Sequence, residues 1–187
     1  MPTKTTKKEN AIAMLKTDHK KVKELFDKFE DAQPAAKQKI VAEAIEELKI
    51  HAAIEEAYFY PALRQEIDDE EGLMEEADEE HHVVKFLIAE LEQMSGDEDH
   101  WDAKFTVLAE NVRHHIKEEE GEIFPKARET DIDFVALGEL MSQMKSELQQ
   151  NGVPPDAEAQ MVKKAGLRGD SPARKAKETL QIPKKAA

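Results

Sequence analysis

The chain has 187 residues, a formal net charge of −14 and no cysteine. This length suits one domain with its own core, and the absence of cysteine excludes disulfides and thiolate metal ligands. An acidic surface repels nucleic acid and anionic lipid, so neither is an expected partner. No apolar run is long enough to span a bilayer, and the polar segment 1–9 lacks the apolar stretch of a signal peptide, so we expect a cytoplasmic protein and no membrane contact.

The first predicted helix follows segment 1–9, which we expect to be a disordered lead. From Asn10 to about Asp31, apolar residues recur at spacings of three and four, which is typical of a helix in a bundle, and His19 stands among them. The members of this stripe are Ile12, Leu15, His19, Val22, Phe26 and Phe29.

A second helix is predicted from about Ala35 to Ile67, after a break at Pro34. Pro61 lies inside it and lacks a backbone donor, so we expect a kink there. The stripe of this helix contains Val41, Ala44, Leu48, His51 and Glu55.

The third and fourth predicted helices repeat the first two. The third runs from about Leu73 to Met94, and the fourth from about Asp99 to Glu129. Each of their stripes lies at a constant offset from its counterpart, so that His81 matches His19 and His115 matches His51. The repeated stripes are Met74, Ala77, His81, Val84, Ile88 and Leu91, then Phe105, Leu108, Val112, His115 and Glu119. The sequence therefore predicts a duplicated helical hairpin in which histidines and glutamates are part of the repeat.

A fifth helix is predicted from about Thr130 to Gln149, with apolar residues on the side that packs against the bundle. We expect the basic segment 151–187 to be mostly disordered, with a short helix near 157–165. The predicted organisation is a lead at 1–9, an all-α bundle with its extra helix at 10–150, and a tail at 151–187.

Six side chains with metal-binding atoms occupy the four stripes: His19, His51, Glu55, His81, His115 and Glu119. A lone histidine on an apolar face is usually a core residue, but two buried carboxylates among four imidazoles need a shared positive partner, because an unpaired buried carboxylate is costly. A pair of metal ions supplies it, and imidazole and carboxylate ligands suit iron, zinc or manganese. Six ligands for two metals leave positions open for small molecules such as dioxygen, nitric oxide or peroxide.

The neighbours of these residues have less specific interpretations. The register of the repeat favours His81 over His82 and His115 over His114, so we expect His82, His100 and His114 to be solvated. Three further glutamates fall off the stripes, and solvent exposure is the preferred interpretation over support of a ligating imidazole from outside: Glu56, Glu118 and Glu120. Tyr58 continues the face of His51, and packing is the preferred interpretation over hydrogen bonding to a bound ligand.

The spacing also excludes some metal proteins. The sequence contains no His-Glu-x-x-His motif of zinc proteases and no glycine-rich phosphate loop. Ferritin-like di-iron proteins use Glu-x-x-His on two helices, whereas here one copy, Glu79 to His82, lies near a stripe and His-x-x-x-Glu occurs twice.

These motifs resemble the hemerythrin-like, HHE cation-binding family over about residues 10–130. The resemblance is carried by Asp18-His19, Glu80-His81, and the two stretches 51–61 and 115–125, each running from a histidine through paired glutamates to a proline. It implies an antiparallel four-helix bundle around two non-haem iron ions, with an oxo or hydroxo bridge as one option. By the same resemblance, the four stripe histidines would be terminal ligands, and Glu55 and Glu119 would bridge the irons.

The chain departs from the oxygen-carrying hemerythrins at two places. Their additional histidine after the third-helix ligand is replaced by Lys85, and the fourth-helix carboxylate comes four residues after His115 instead of five. The resemblance is therefore to the bacterial branch of the family, which is associated with iron or oxygen sensing, nitric oxide handling and peroxide decomposition.

The expected function is that of a cytoplasmic di-iron protein that binds or senses O2, NO or a related ligand, in oxidative or nitrosative stress or in iron homeostasis. The alternatives are a peroxide-decomposing, catalase-like enzyme, an iron-holding protein without turnover, and a helical interaction module without metal. A protein partner could dock on the basic tail from Lys163 to Lys185.

Overall fold

The computed structural model describes residues 10–68 and 72–164, which form helices joined by short connections. Two π-helical turns, Glu55–Phe59 and Glu119–Ile123, each join two α-helices end to end. The helices are α1 (Ala11–Asp31), α2 (Pro34–Ile54), α3 (Tyr60–Glu66), α4 (Leu73–Leu91), α5 (Trp101–Glu118), α6 (Phe124–Arg128), α7 (Phe134–Asn151) and α8 (Ala157–Lys164).

The helices pack as two hairpins. Helix α1 lies along α2 and α4 along α5, while contacts of α1 with α5 and of α2 with α4 close the bundle. Helix α7 packs on α1 and α2 as the additional helix, and it begins at Asp133, whose carboxylate accepts the backbone N–H of Val135 and Ala136. The predicted all-α, antiparallel four-helix bundle with an extra C-terminal helix is therefore confirmed.

The buried apolar side chains form two clusters. One contains residues near Phe59 and Phe124, where α7 joins the bundle, and the other contains Phe26, Phe29 and Phe105. Along α1 and α4, and along α2 and α5 taken with the π turn and short helix that follow each, a predicted metal-ligating histidine lies between residues of the first cluster and residues of the second. The six candidate ligands thus lie in the middle of the bundle, with apolar packing on both sides.

Removal of the Phe105 side chain tests the packing of the second cluster. It is completely buried, and its ring centroid lies 5.7 Å from that of Phe26 and 4.5 Å from that of Phe29. We expect Phe105→Ala to lower the free energy of unfolding by about 3–5 kcal/mol, the usual cost of deleting a buried phenylalanine. Urea denaturation measures this loss, and a decrease below about 1 kcal/mol would show that the cluster does not pack as described. Metal content is the control, because Phe105 supplies no ligand.

The predicted kink at Pro61 takes the form of a π turn, and Pro125 has the same arrangement. The backbone N–H of Tyr60 bonds to the carbonyl of Glu55, and that of Phe124 bonds to the carbonyl of Glu119, each five residues back. Proline offers no N–H to continue the α-helical ladder, and such one-turn π bulges are frequent at functional sites. The extra residue in the turn rotates everything after it relative to the preceding helix.

The end of the described chain is also helical. Helix α8 packs on α4, and its buried Glu158 accepts a hydrogen bond from Nδ1 of His82 at 2.8 Å. His82, 31% exposed in its side chain, is therefore paired and not simply solvated as predicted, whereas His100 and His114 are exposed. The predicted lead 1–9 and the part of the predicted tail beyond residue 164 lie outside the described residues. Among the helices described, none is long and apolar enough to cross a membrane.

Candidate metal centre

The structure brings all six predicted ligands together. His19 comes from α1, His51 from α2, His81 from α4 and His115 from α5. All four are buried. The two glutamates are the first residues of the two π turns, and both are completely buried: Glu55 and Glu119.

The imidazoles form two pairs. Nε2 of His19 lies 3.2 Å from Nε2 of His51, and the same atoms of His81 and His115 are also 3.2 Å apart. His19 and His51 come from the first hairpin and His81 and His115 from the second, so each hairpin supplies one pair.

Each central glutamate reaches both pairs. The carboxylate of Glu55 lies 3.1 Å from Nε2 of His51 and 3.5 Å from Nε2 of His81. That of Glu119 lies 3.1 Å from Nε2 of His19 and 3.6 Å from Nε2 of His115. The ligand atoms fall into two overlapping groups that share Glu55, each compact enough to hold one ion.

A second ring of carboxylates surrounds the imidazoles on their outer, Nδ1 side. A carboxylate can only accept a hydrogen bond, so Nδ1 carries the proton and the Nε2 lone pair points inward, as a metal-ligating histidine requires. The pairs and their N–O distances are His19–Glu120 at 3.0 Å, His81–Glu56 at 3.0 Å, His115–Glu80 at 2.7 Å and, more loosely, His51–Asp18 at 3.6 Å.

Two of these outer partners are missed by the sequence interpretation. It gives this role to Glu56 and Glu120 only as the alternative to solvent exposure, and the structure shows that alternative. It notes Asp18 and Glu80 only as neighbours of histidines. The repeat carries the signal, because Glu80 matches Asp18 at the offset of the first and third stripes, and Glu120 matches Glu56 at that of the second and fourth. Each outer carboxylate serves the histidine of a different helix.

Lysines neutralise three of the outer carboxylates. Lys85 lies 2.5 Å from Glu56, and Lys145 of α7 pairs with Asp18. Glu120 has two lysine partners, each at 3.6 Å: Lys16 and Lys23. Burial opposes ionisation of Glu56, but His81 and Lys85 outweigh it and lower the pKa of this carboxyl to about 2. Lys85, which stands where oxygen carriers have a histidine, thus holds an outer carboxylate in its charged form.

The interior of the site lacks a positive charge that its polar atoms require. Both carboxylate oxygens of Glu55 and one of Glu119 are buried without a hydrogen-bond donor. The nearest polar atoms are the imidazole Nε2 atoms. If these nitrogens carry no proton, acceptors face acceptors, which is unfavourable in a buried site, so the site requires either protons or a metal cation there. Burial lowers the pKa of His51, but the nearby carboxylates, Glu55 first, raise it to about 10. The cluster therefore attracts a cation strongly, and a metal that binds there must displace protons. The donor set fits a pair of transition-metal ions.

One tyrosine belongs to the centre. The O–H of Tyr60 donates to Glu119 at 2.8 Å, and its oxygen lies 3.3 Å from Nε2 of His115. Burial and the carboxylates of Glu119 and Glu55 raise its pKa well above the usual value, so the phenol remains a donor. Sequence spacing directs attention to Tyr58 instead, which packs against the apolar cluster, in agreement with its preferred interpretation. In a regular α-helix Phe59, four residues after Glu55, would follow that glutamate on the same face, whereas the π turn puts Tyr60, five residues after Glu55, in that place.

The two hairpins differ at the position of Tyr60. Its counterpart in the second hairpin is Phe124, whose ring stacks on His19 at a centroid distance of 5.7 Å and an angle of 3°. One histidine pair therefore has a phenolic donor beside it, and the other has an apolar ring.

A small cavity adjoins the imidazoles. Its volume is about 20 Å³, which holds about one water-sized molecule. It is lined by the four histidines and Asp18, together with the apolar residues Val22, Leu48, Ala52, Val84, Val112 and Ile116.

Known proteins share this arrangement to different extents. The hemerythrin HHE cation binding domain-containing protein from Mycobacterium kansasii, an Rv2633c homolog, has a TM-score of 0.64 and 26% identity, covering 77% of this chain and 94% of its own. A DNA nickase from Nostoc sp. is 27% identical over 120 residues, which are 64% of this chain. The chain spans about a third of that relative's length.

The family model described as the hemerythrin HHE cation binding domain matches residues 10–127. This range is more than half of the chain and includes the four histidines and two glutamates at the centre of the bundle. The metal-binding chemistry that their geometry supports is the cation binding for which the domain is named. The chain belongs to the hemerythrin HHE cation-binding domain family.

Proposed function

We propose that the protein is a non-haem di-iron protein that binds a small diatomic ligand such as O2 or NO, in the cytoplasm. The position of the two central glutamates carries this proposal. Glu55 and Glu119 each lie between the two histidine pairs, and they keep buried oxygens without donors. In this proposal, each histidine pair would hold one iron ion, and the two glutamates, which reach both pairs, would be shared between the ions.

Iron bound at this site would supply a redox-active Lewis acid with coordination positions left over for a ligand. The protein around the site selects the ligand by its size and polarity. A cavity of about 20 Å³ with six apolar lining residues admits an uncharged diatomic molecule and excludes larger organic substrates. In this proposal, the O–H of Tyr60, which donates to Glu119 beside His115, turns to a ligand bound next to that histidine.

Titration of the reduced, iron-loaded protein with NO tests ligand binding directly. We expect a saturable change in the visible and electron paramagnetic resonance spectra, absent from the metal-free protein. If NO leaves these spectra unchanged in protein that contains its full complement of iron, the protein is not a diatomic-ligand binder.

The Tyr60→Phe variant is expected to retain the metal and to bind the ligand more weakly. The substitution preserves the buried ring but removes a donor, and one hydrogen bond is worth about 1 kcal/mol, or roughly fivefold to tenfold in affinity. Affinity for NO, measured optically, checks this outcome. Tyr58→Phe is the matched control, because it removes the same group from a tyrosine that packs away from the imidazoles. Equal affinities for the two variants would argue against a role of Tyr60 in ligand binding.

Peroxide decomposition is the second candidate, favoured by the same buried phenol, whose O–H can donate a hydrogen bond to a peroxide oxygen. Oxygen evolution from hydrogen peroxide by the iron-loaded protein would establish it. If the protein evolves oxygen no faster than the same amount of free iron, the catalase-like function is excluded and ligand binding remains the proposed function.

We do not extend nicking of DNA from the Nostoc relative to this chain. The net charge of −14 opposes binding to a polyanion. The expectation remains that nucleic acid is not a partner.

A further inference from the structure

One of the four outer carboxylates has a different environment from the other three. Asp18, Glu56 and Glu120 each pair with lysine. The ion-pair partners described for Glu80 are both histidines, the buried His115 and the exposed His114. Among the described residues, no lysine pairs with Glu80, whereas a lysine balances the charge of each of the other three outer carboxylates.

Glu80 belongs to a second group of metal-ligating side chains, here called the outer cluster: Glu80, His114 and Glu118. Nε2 of His114 lies 3.1 Å from Oε1 of Glu118 and 3.5 Å from Oε1 of Glu80. The three ligand atoms all lie within 4.8 Å of one another. The His114 side chain is 57% exposed, so an ion can reach the cluster from solvent.

Helix α5 builds this cluster with the same spacing that it uses for the buried centre. His114 and Glu118 are four residues apart, as are His115 and Glu119, so one helix presents an inner and an outer His-x-x-x-Glu pair side by side. Glu80 completes both, because its Oε2 accepts from Nδ1 of His115 at 2.7 Å while its Oε1 faces His114.

We propose that Glu80, His114 and Glu118 form a surface binding site for a divalent transition-metal ion, separate from the buried centre. Two carboxylates and one imidazole supply three ligands and two negative charges, and water completes the coordination. Through Glu80, the site is in contact with His115 of the buried centre. The proposal goes beyond the buried di-iron function and does not depend on which metal the buried centre holds.

Zinc is a suitable probe, because it binds both imidazole and carboxylate and changes no oxidation state. The full-length protein is first loaded with Zn²⁺ at the buried centre, and further Zn²⁺ is then added and counted by equilibrium dialysis with elemental analysis. We expect one additional ion per chain in the wild type. The double variant H114N/E118Q should bind this ion at least about tenfold more weakly, since it loses two of three ligands.

The variant H100N/E122Q is the matched control, because it removes the same residue types and charge from exposed positions outside the cluster. It should bind the additional ion as the wild type does. Glu80 is left intact in all proteins, so the support of His115 is unchanged. If the buried centre does not bind metal, all three proteins will lack the zinc of the first loading step to the same extent. The outer site is overturned if H114N/E118Q binds the additional ion as tightly as the wild type. It is also overturned if the wild type binds no additional ion.

Discussion

Replacing Glu55 by glutamine is expected to remove most of the metal from the protein. Glu55 is completely buried, its carboxylate reaches both histidine pairs, and both of its oxygens lack a hydrogen-bond donor. Glutamine has nearly the same shape but no negative charge, so it can neither bridge two cations nor offset their charge. Elemental analysis of wild type and variant purified in parallel measures the loss.

Glu122→Gln is the control for this change, because Glu122 lies on the same π turn as Glu119 but is exposed. It removes one carboxylate without touching the imidazoles, and it should retain the wild-type metal content. Circular dichroism confirms that the Glu55 variant is helical before its metal is counted. A folded Glu55→Gln protein with a full complement of metal would show that the central glutamates are not bridging ligands.

Removal of the metal is expected to lower the melting temperature. The candidate ligands come from all four bundle helices, so a metal bound to them stabilises the folded chain over the unfolded one. With free metal at 100 times its Kd, the stabilisation is about 2.7 kcal/mol. For a chain of this size, that amounts to roughly 5–11 °C.

Thermal melts of the loaded, chelator-treated and reloaded protein measure this shift. The loaded and reloaded samples should coincide, which shows that the chelator has not damaged the protein. Glu55→Gln should melt at one temperature with or without added metal. A wild-type melting temperature that is indifferent to the metal would contradict ligation from all four helices.

The fold and the six central residues could be predicted because they depend on periodicity alone. Apolar residues at spacings of three and four define the buried face of each helix, and a polar residue on that face must enter the core. The duplication then fixed the register, since His81 and His115, and not their neighbours His82 and His114, have counterparts in the first hairpin. The structure places the chosen residues at the centre of the bundle.

Tyr60 could not be predicted in the same way, because the π turn before it breaks the period. The turn follows from a proline that lacks a backbone donor, but its length depends on which carbonyl the next N–H reaches, here that of Glu55. A helix continued at the regular α-helical period puts Tyr58 on the face of His51. The π turn instead puts Tyr60, five residues after Glu55, where a regular α-helix would put Phe59, four residues after Glu55.

The outer partners depend on contacts between helices that periodicity does not report. Asp18 and Glu80 lie one residue from a stripe histidine, yet each supports a histidine of the neighbouring helix in its hairpin. The pairing of His82 with Glu158 joins distant parts of the chain, and it exists only because α8 packs on α4. Such contacts follow from the rotation and packing of whole helices.

The metal content of the wild-type protein tests the central claim most directly. After growth with added iron, purified protein should contain about two iron atoms per chain, the number that two histidine pairs and two shared glutamates can hold. Elemental analysis that finds no bound transition metal in the folded protein would contradict the assignment of the buried cluster as a metal centre.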